Sequence, residues 1–146
     1  MADIQHSIPV EAPVATVYPL VSTGEGFSKW WAADVVKLQD DPEVAQLGFF
    51  NRSTIYRLRA EELKADQAAR WRCETGEEWE GTHLTFTLQA SGDKTLVRFT
   101  HGDWKAVTDY FIACNTTWGE LMFRLKATAE GKSPGPLFSP NGMSAY

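Results

Sequence analysis

Along most of this chain apolar and polar residues alternate in short runs with a period of two, and near the end they switch to one long run with a helical period. In "DIQHSIPV" Ile4, His6, Ile8 and Val10 share one side against polar neighbours, which predicts a first strand. "EAPVATVYPLVST" changes period: Val14, Val17, Leu20 and Val21 are spaced for a helix. Pro13 suits its first turn, and Pro19 is expected to end or kink it. "GEGFSKWWAA" predicts a second short helix after a glycine break. Short strands follow at "DVVKLQ", "GFFN", "STIYRLRAEEL", "ARWRCETG", "THLTFTLQ" and "TLVRFTHGD". Gly92-Asp93 in "ASGDK" supplies the turn between the last two.

From Val107 to Ala129 the apolar residues Val107, Tyr110, Phe111, Cys114, Trp118, Leu121, Met122, Leu125 and Ala129 form one stripe. Lys126 and Gly131 are favourable stop signals. "SPGPLFSPNGMSAY" then reads as a Pro/Gly-rich tail, so residues 1–133 are expected to form the domain and 134–146 its tail. An antiparallel sheet with one apolar face needs a cover, and the last helix carries the matching stripe. The predicted class is α+β, a helix-grip: a curved antiparallel sheet wrapped around a long C-terminal helix, with two short N-terminal helices.

The strand phases give the inward residues. Tyr56 and Leu58 face in because Arg57 and Arg59 belong in water; Trp71 and Cys73 face in for the same reason. Leu84, Phe86 and Leu88 come from one hairpin arm, and Val97, Phe99 and His101 from the other. The helix adds Tyr110, Phe111, Cys114, Trp118 and Met122. One reading makes these the wall of a cavity for an apolar or lipid-like ligand between sheet and helix, with Tyr56, His101 and Tyr110 as polar handles. The other is a filled core. Ile112 and Phe123 lie on a second face of the helix, with Thr116 and Gly119 between them. The short helices or the tail's "PLF" are expected to cover that face; a homodimer contact is the alternative.

The chain has 146 residues, a formal charge of -5 and 43% hydrophobic content, which fits one soluble domain with a sizeable core. No basic run interleaves with aromatics, so nucleic acid is not an expected partner. Six Trp, eight Phe and four Tyr exceed what an ordinary core needs, as a hollow apolar pocket would use them. The N-terminus has no charged start or apolar h-region and no stretch is long enough to span a membrane, which predicts a cytoplasmic protein. Cys73 and Cys114 are then expected reduced, as small core residues, and the sequons at Asn51 and Asn115 to be chance matches. No metal-ligand spacing, G-x-S-x-G elbow, phosphate loop or dinucleotide fingerprint occurs, so no metal and no cofactor are expected. "ETGEEWEG", four glutamates around Trp79, reads as a solvated acidic loop near the pocket rim.

"IQHSIPVEAPVATVYPLVSTGEGFSKWW" resembles the opening of the START/Bet v 1-like (SRPBCC) superfamily: a strand, a helix, then a tryptophan-bearing helix. "TLVRFTHGDW" followed by "NTTWGELMFRLKATAEGK" resembles the close of its activator-of-Hsp90-ATPase-homologue (AHSA1-like) branch. "QLGFFNRSTIYRLRAEEL" departs from it by lacking a glycine-rich hairpin. The resemblance implies a binder of hydrophobic small molecules. Its rivals are a cyclase- or hydrolase-like enzyme using His101 and Tyr56 in the same cavity, and an Hsp90-type co-chaperone module. A binder without catalytic residues is preferred, because His101 has no orienting partner or nucleophile near it in sequence. It is read as a satisfied structural residue just ahead of Asp103, the candidate helix start.

Overall fold

β1 (Ala2–Val10) buries Ile4, Ile8 and Val10, the phase its alternation predicts. The computed structural model describes residues 2–140 and 142–143, so Met1 and the tail residues Asn141 and 144–146 lie outside it. Two helices follow, α1 (Val14–Ser22) and α2 (Gly24–Trp30). α1 runs through Pro19 to Ser22 instead of ending there. The break between the helices is at Thr23, whose hydroxyl caps α2 by accepting from Gly26 N, and Gly24 already belongs to the first turn of α2. Gly26 has a packing role: a Cβ there would lie 2.1 Å from the Pro19 carbonyl oxygen, so only glycine lets the two helices approach this closely.

Six more strands complete the main sheet: β2 (Asp34–Lys37), β3 (Val44–Phe49), β4 (Thr54–Lys64), β5 (Ala68–Cys73), β6 (His83–Ser91) and β7 (Lys94–Trp104). Their order is β1-β7-β6-β5-β4-β3-β2, with each neighbouring pair antiparallel. "GFFN" marks only the end of β3, which starts at Val44. The hairpin from β3 to β4 does exist, but without the expected glycines. Phe50, Asn51 and Arg52 take φ of 53°, 56° and 66°, a left-handed run that favours glycine. Arg52 is tied there by a two-pronged ion pair to Asp34. Ser91 pairs with Lys94 across Gly92 (φ 61°), as the sequence predicts.

β7 keeps Asp103 in the strand, with φ 70°, so this residue is not the helix start. The helix α3 (Asp109–Ala129) begins at Thr108, whose hydroxyl accepts from Phe111 N. α3 buries Cys114, Trp118, Leu121, Met122, Leu125 and Ala129. Two short strands, β8 (Phe138–Ser139) and β9 (Gly142–Met143), form a small hairpin in the tail. The tail is part of the core packing: Leu137 is fully buried, and Leu137 N and Phe138 N donate to the Trp30 and Trp31 carbonyls. It therefore does not cover the second face of α3, and neither do the short helices. Ile112 and Phe123 are 54% and 64% exposed.

Candidate functional site

The space that a sheet and a gripped helix would enclose is largely plugged from α2. Phe27, Trp30 and Trp31 are at most 1% exposed and project between the layers. Phe27 lies against Trp71 and Phe86, and Trp31 against Trp118, at ring separations of 5.1, 6.3 and 4.9 Å. Phe86 also packs on Phe99, which packs on Trp118 at 4.3 Å. These contacts make Trp71, Phe86 and Phe99 core residues at this level. Trp71 also donates its indole N–H to Val21 O at 2.9 Å and borders an open groove of about 770 Å³ under the start of α2.

A cavity of about 300 Å³ remains toward one end of the sheet. Phe49, Thr54 and Tyr56 supply its sheet side, Tyr110, Cys114, Thr117, Trp118 and Leu121 its helix side. Trp31 and Trp79 form its inner end, while Phe50, Phe138 and Met143 border it from the β3–β4 loop and the tail hairpin. Of the residues read from sequence as candidates, Tyr56, Tyr110, Cys114 and Trp118 are brought together here. Cys73, Met122 and His101 are buried elsewhere in the core, and Phe111 packs edge-on against Trp104 at 5.2 Å. Trp79 was masked in sequence by the glutamates around it. Only 5% exposed, it stacks on Tyr56 at 4.1 Å and 5°, and Gly76 (φ 115°) shapes the loop that carries it over the Tyr56 ring.

Among the described residues no charged side chain lines this cavity. The Tyr56 and Tyr110 hydroxyls hydrogen-bond to each other. One phenol proton serves that bond, and the other is left to donate. The indole N–H of Trp79 is buried and finds no full acceptor, only the weak one offered by the Cys114 thiol. Burial holds both phenols and the Cys114 thiol above their ordinary titration ranges, because each would lose hydration on ionising. The Cys73 thiol, deeper still, is pushed up to about 12 by the same cause. The site is therefore neutral across the ordinary pH range and offers donors.

Behind this wall His101 is fully buried and both its nitrogens are used. Trp118 Nε1 donates to Nδ1 at 3.1 Å, and Nε2 meets the Thr82 hydroxyl at 2.8 Å. Indole N–H can only donate, so Nδ1 must be bare and Nε2 must carry the proton. Thr82 passes its own proton to Trp79 O at 2.6 Å, which completes the chain. Among the described residues no group of three or more His, Cys, Asp or Glu is placed to hold a metal, and no helix is long and apolar enough to cross a membrane.

No family model and no curated protein matches this sequence. Solved structures do. The Aha1 dimer from Colwellia psychrerythraea is 27% identical, matched over 90% of this chain and 98% of that one with a TM-score of 0.74. XoxI from Bacillus cereus is 12% identical over 90% and 97% of the two chains, with a TM-score of 0.73. DynU16, from the dynemicin biosynthetic locus, is 14% identical; 91% of this chain matches 49% of that longer one at a TM-score of 0.70. The two least similar sequences share the fold alone, whereas the first shares sequence as well over nearly its whole length. With its leading strand, paired short helices, antiparallel run and gripped C-terminal helix, the chain has the α+β helix-grip fold of these structures, consistent with its resemblance to the START/Bet v 1-like superfamily, and its likeness in sequence is to Aha1.

Proposed function

We propose that this domain binds an uncharged, largely apolar small molecule bearing one hydrogen-bond acceptor, in the cavity between Tyr56, Trp79 and α3, as a cytoplasmic protein. The observation that carries the reading is the cavity itself: about 300 Å³, with no charged side chain among the described residues of its wall and a phenol pair whose mutual bond leaves one proton to donate. That volume is roughly ten waters' worth of liquid, and an aromatic wall holds water poorly. An oxygen acceptor on the ligand takes the spare phenol proton, while its apolar body covers Phe49, Trp31 and Leu121. The neutral wall disfavours anions and cations alike, since neither finds a counter-charge there.

Acid–base catalysis in the same cavity is the weaker reading. A general base needs a pKa near the working pH, and the titratable groups on the wall are phenols and a thiol pushed upward. His101 has no free nitrogen to offer and is held neutral. A protein-partner role of the co-chaperone kind is favoured by the identity to Aha1 and needs no open cavity. That protein was solved as a dimer, which supports a homodimer as the form in which this domain works.

Titration with an apolar fluorescent probe, followed by native mass spectrometry for co-purified small molecules, tests the binder reading. Thr117→Phe fills the cavity from α3 and should abolish probe binding with the fold intact. Undiminished binding to that variant would remove the cavity from consideration, and a partner activity that survives it would favour the co-chaperone reading.

A further inference from the structure

The outward face of α3 has the form of a seam without a partner. Ile112, Thr116, Gly119 and Phe123 follow one another in steps of four, three and four, the spacing at which a helix presents one stripe to a second helix. Ile112 and Phe123 are large, apolar and more than half exposed. The helix carries no charged side chain from Tyr110 to Gly119. Among the described residues the stripe is bordered but its ends are not covered: His6 of β1 lies beside its centre, 3.7 Å from where a Cβ at Gly119 would be, and residues 134–135 of the tail are held by the neighbouring Arg124, which leaves Ile112 and Phe123 open.

From this stripe we infer that α3 is a homodimer interface, in which two copies pair antiparallel about a two-fold axis between Thr116 and Gly119. The inference rests on the homodimer reading above and adds the surface. The occupant is a second copy because the stripe is self-complementary. Turned end over end, Ile112 of one copy meets Phe123 of the other and Thr116 meets Gly119, so large residues face each other at both ends and small ones at the centre. The small centre lets the helix axes close to packing distance. The same operation sets Asp109, in the first turn of α3, opposite Lys126, in its last. Lys126 already holds Glu130 and the Pro9 carbonyl, so it is fixed on the flank of the stripe, where a carboxylate from the second copy adds to its pairing. A two-fold contact is met twice, at each end of the seam. One helix face is a narrow interface, so the dimer should form in a concentration-dependent way.

Sedimentation velocity of the full chain over a wide concentration range should show a monomer–dimer equilibrium. Ile112→Lys and Phe123→Glu should each raise the dissociation constant on the order of 100-fold, because each change acts twice across the axis. An equimolar mixture of the two variants should recover dimer. The introduced lysine of one copy then faces the introduced glutamate of the other, while the unchanged Phe123 and Ile112 keep their native contact at the far end. Both positions are exposed, so thermal melting should leave each variant folded like the parent. A parent that stays monomeric overturns the homodimer reading and the interface together. A parent that dimerises while both variants do so equally well overturns the interface alone. Loss in each variant without recovery in the mixture overturns the antiparallel pairing.

Discussion

Trp118 donates its indole N–H to Nδ1 of His101 at 3.1 Å, and this one bond ties the centre of α3 to the end of β7. It also fixes the imidazole tautomer, because a donor at Nδ1 leaves the ring proton on Nε2 for Thr82. Trp118→Phe keeps most of the ring packing against Phe99 and Trp31 and removes the donor. His101 Nδ1 is then buried without a partner, at an expected cost of about 1–3 kcal/mol in chemical denaturation. Trp118→Ala should cost more, on the order of 3–5 kcal/mol, because it adds a void. Equal stability of Trp118→Phe and the parent would mean that the bond contributes nothing.

The same chain of bonds makes stability depend on pH. Burial holds His101 at a pKa of about 3, against 6.5 for the free side chain. Between those values the unfolded chain binds a proton that the folded one refuses. Its contribution is therefore fully present above pH 6.5 and is lost as pH falls toward 3. The slope from this single group is at most about 1.4 kcal/mol per pH unit. His101→Gln, which can still accept from Trp118 and donate to Thr82, should flatten the stability curve from pH 6.5 to about 5, above the main carboxylate range. A parallel curve for the variant would show that His101 takes no part in acid sensitivity.

His101 also shows what the sequence made legible. Its place at the inward end of a strand, next to no nucleophile, pointed to a structural residue, and the strand phases and the α3 stripe pointed to the helix-grip. What could not be read was how much of the grip is hollow. That depends on where Phe27, Trp30 and Trp31 go, and a short helix with aromatics on several sides does not say which of them enters the space between layers. Trp79 was hidden for the opposite reason: its charged neighbours mark a loop, and only the turn at Gly76 folds the indole back under Tyr56. The cover of Ile112 and Phe123 was misjudged because "PLF" is apolar enough to lie on either surface, and backbone bonds to Trp30 and Trp31 decide for the core.

The junction of α1 and α2 should be the part least tolerant of a methyl group. In Gly26→Ala the new Cβ meets backbone, the Pro19 carbonyl oxygen at 2.1 Å, so the helices must separate. A cost at or above the about 1–3 kcal/mol of ordinary overpacking is expected from thermal denaturation. Gly131→Ala is the control. It sits at φ 89° with nothing within 4 Å of its Cβ, so only backbone strain opposes it, roughly 1 kcal/mol. A loss at Gly26 no larger than that of the control would remove the close approach as its cause.

Cys73 and Cys114 give the cavity an intrinsic reporter. Both thiols are free and buried, and burial raises both pKa values, so little reactive thiolate exists near neutral pH. A soluble disulfide reagent should modify the folded protein far more slowly than the unfolded chain. The two sites should also differ. Cys114 lies on the cavity wall, whereas Cys73 is 1% exposed in the core, so Cys114 should react first, at a rate set by access through the cavity mouth. An apolar molecule seated against Tyr56 and Trp79 blocks that route, and its addition should slow Cys114 labelling while leaving Cys73 unchanged. Mass mapping of the modified peptides separates the two. Labelling of Cys114 that is indifferent to saturating probe would place the bound molecule somewhere other than this cavity.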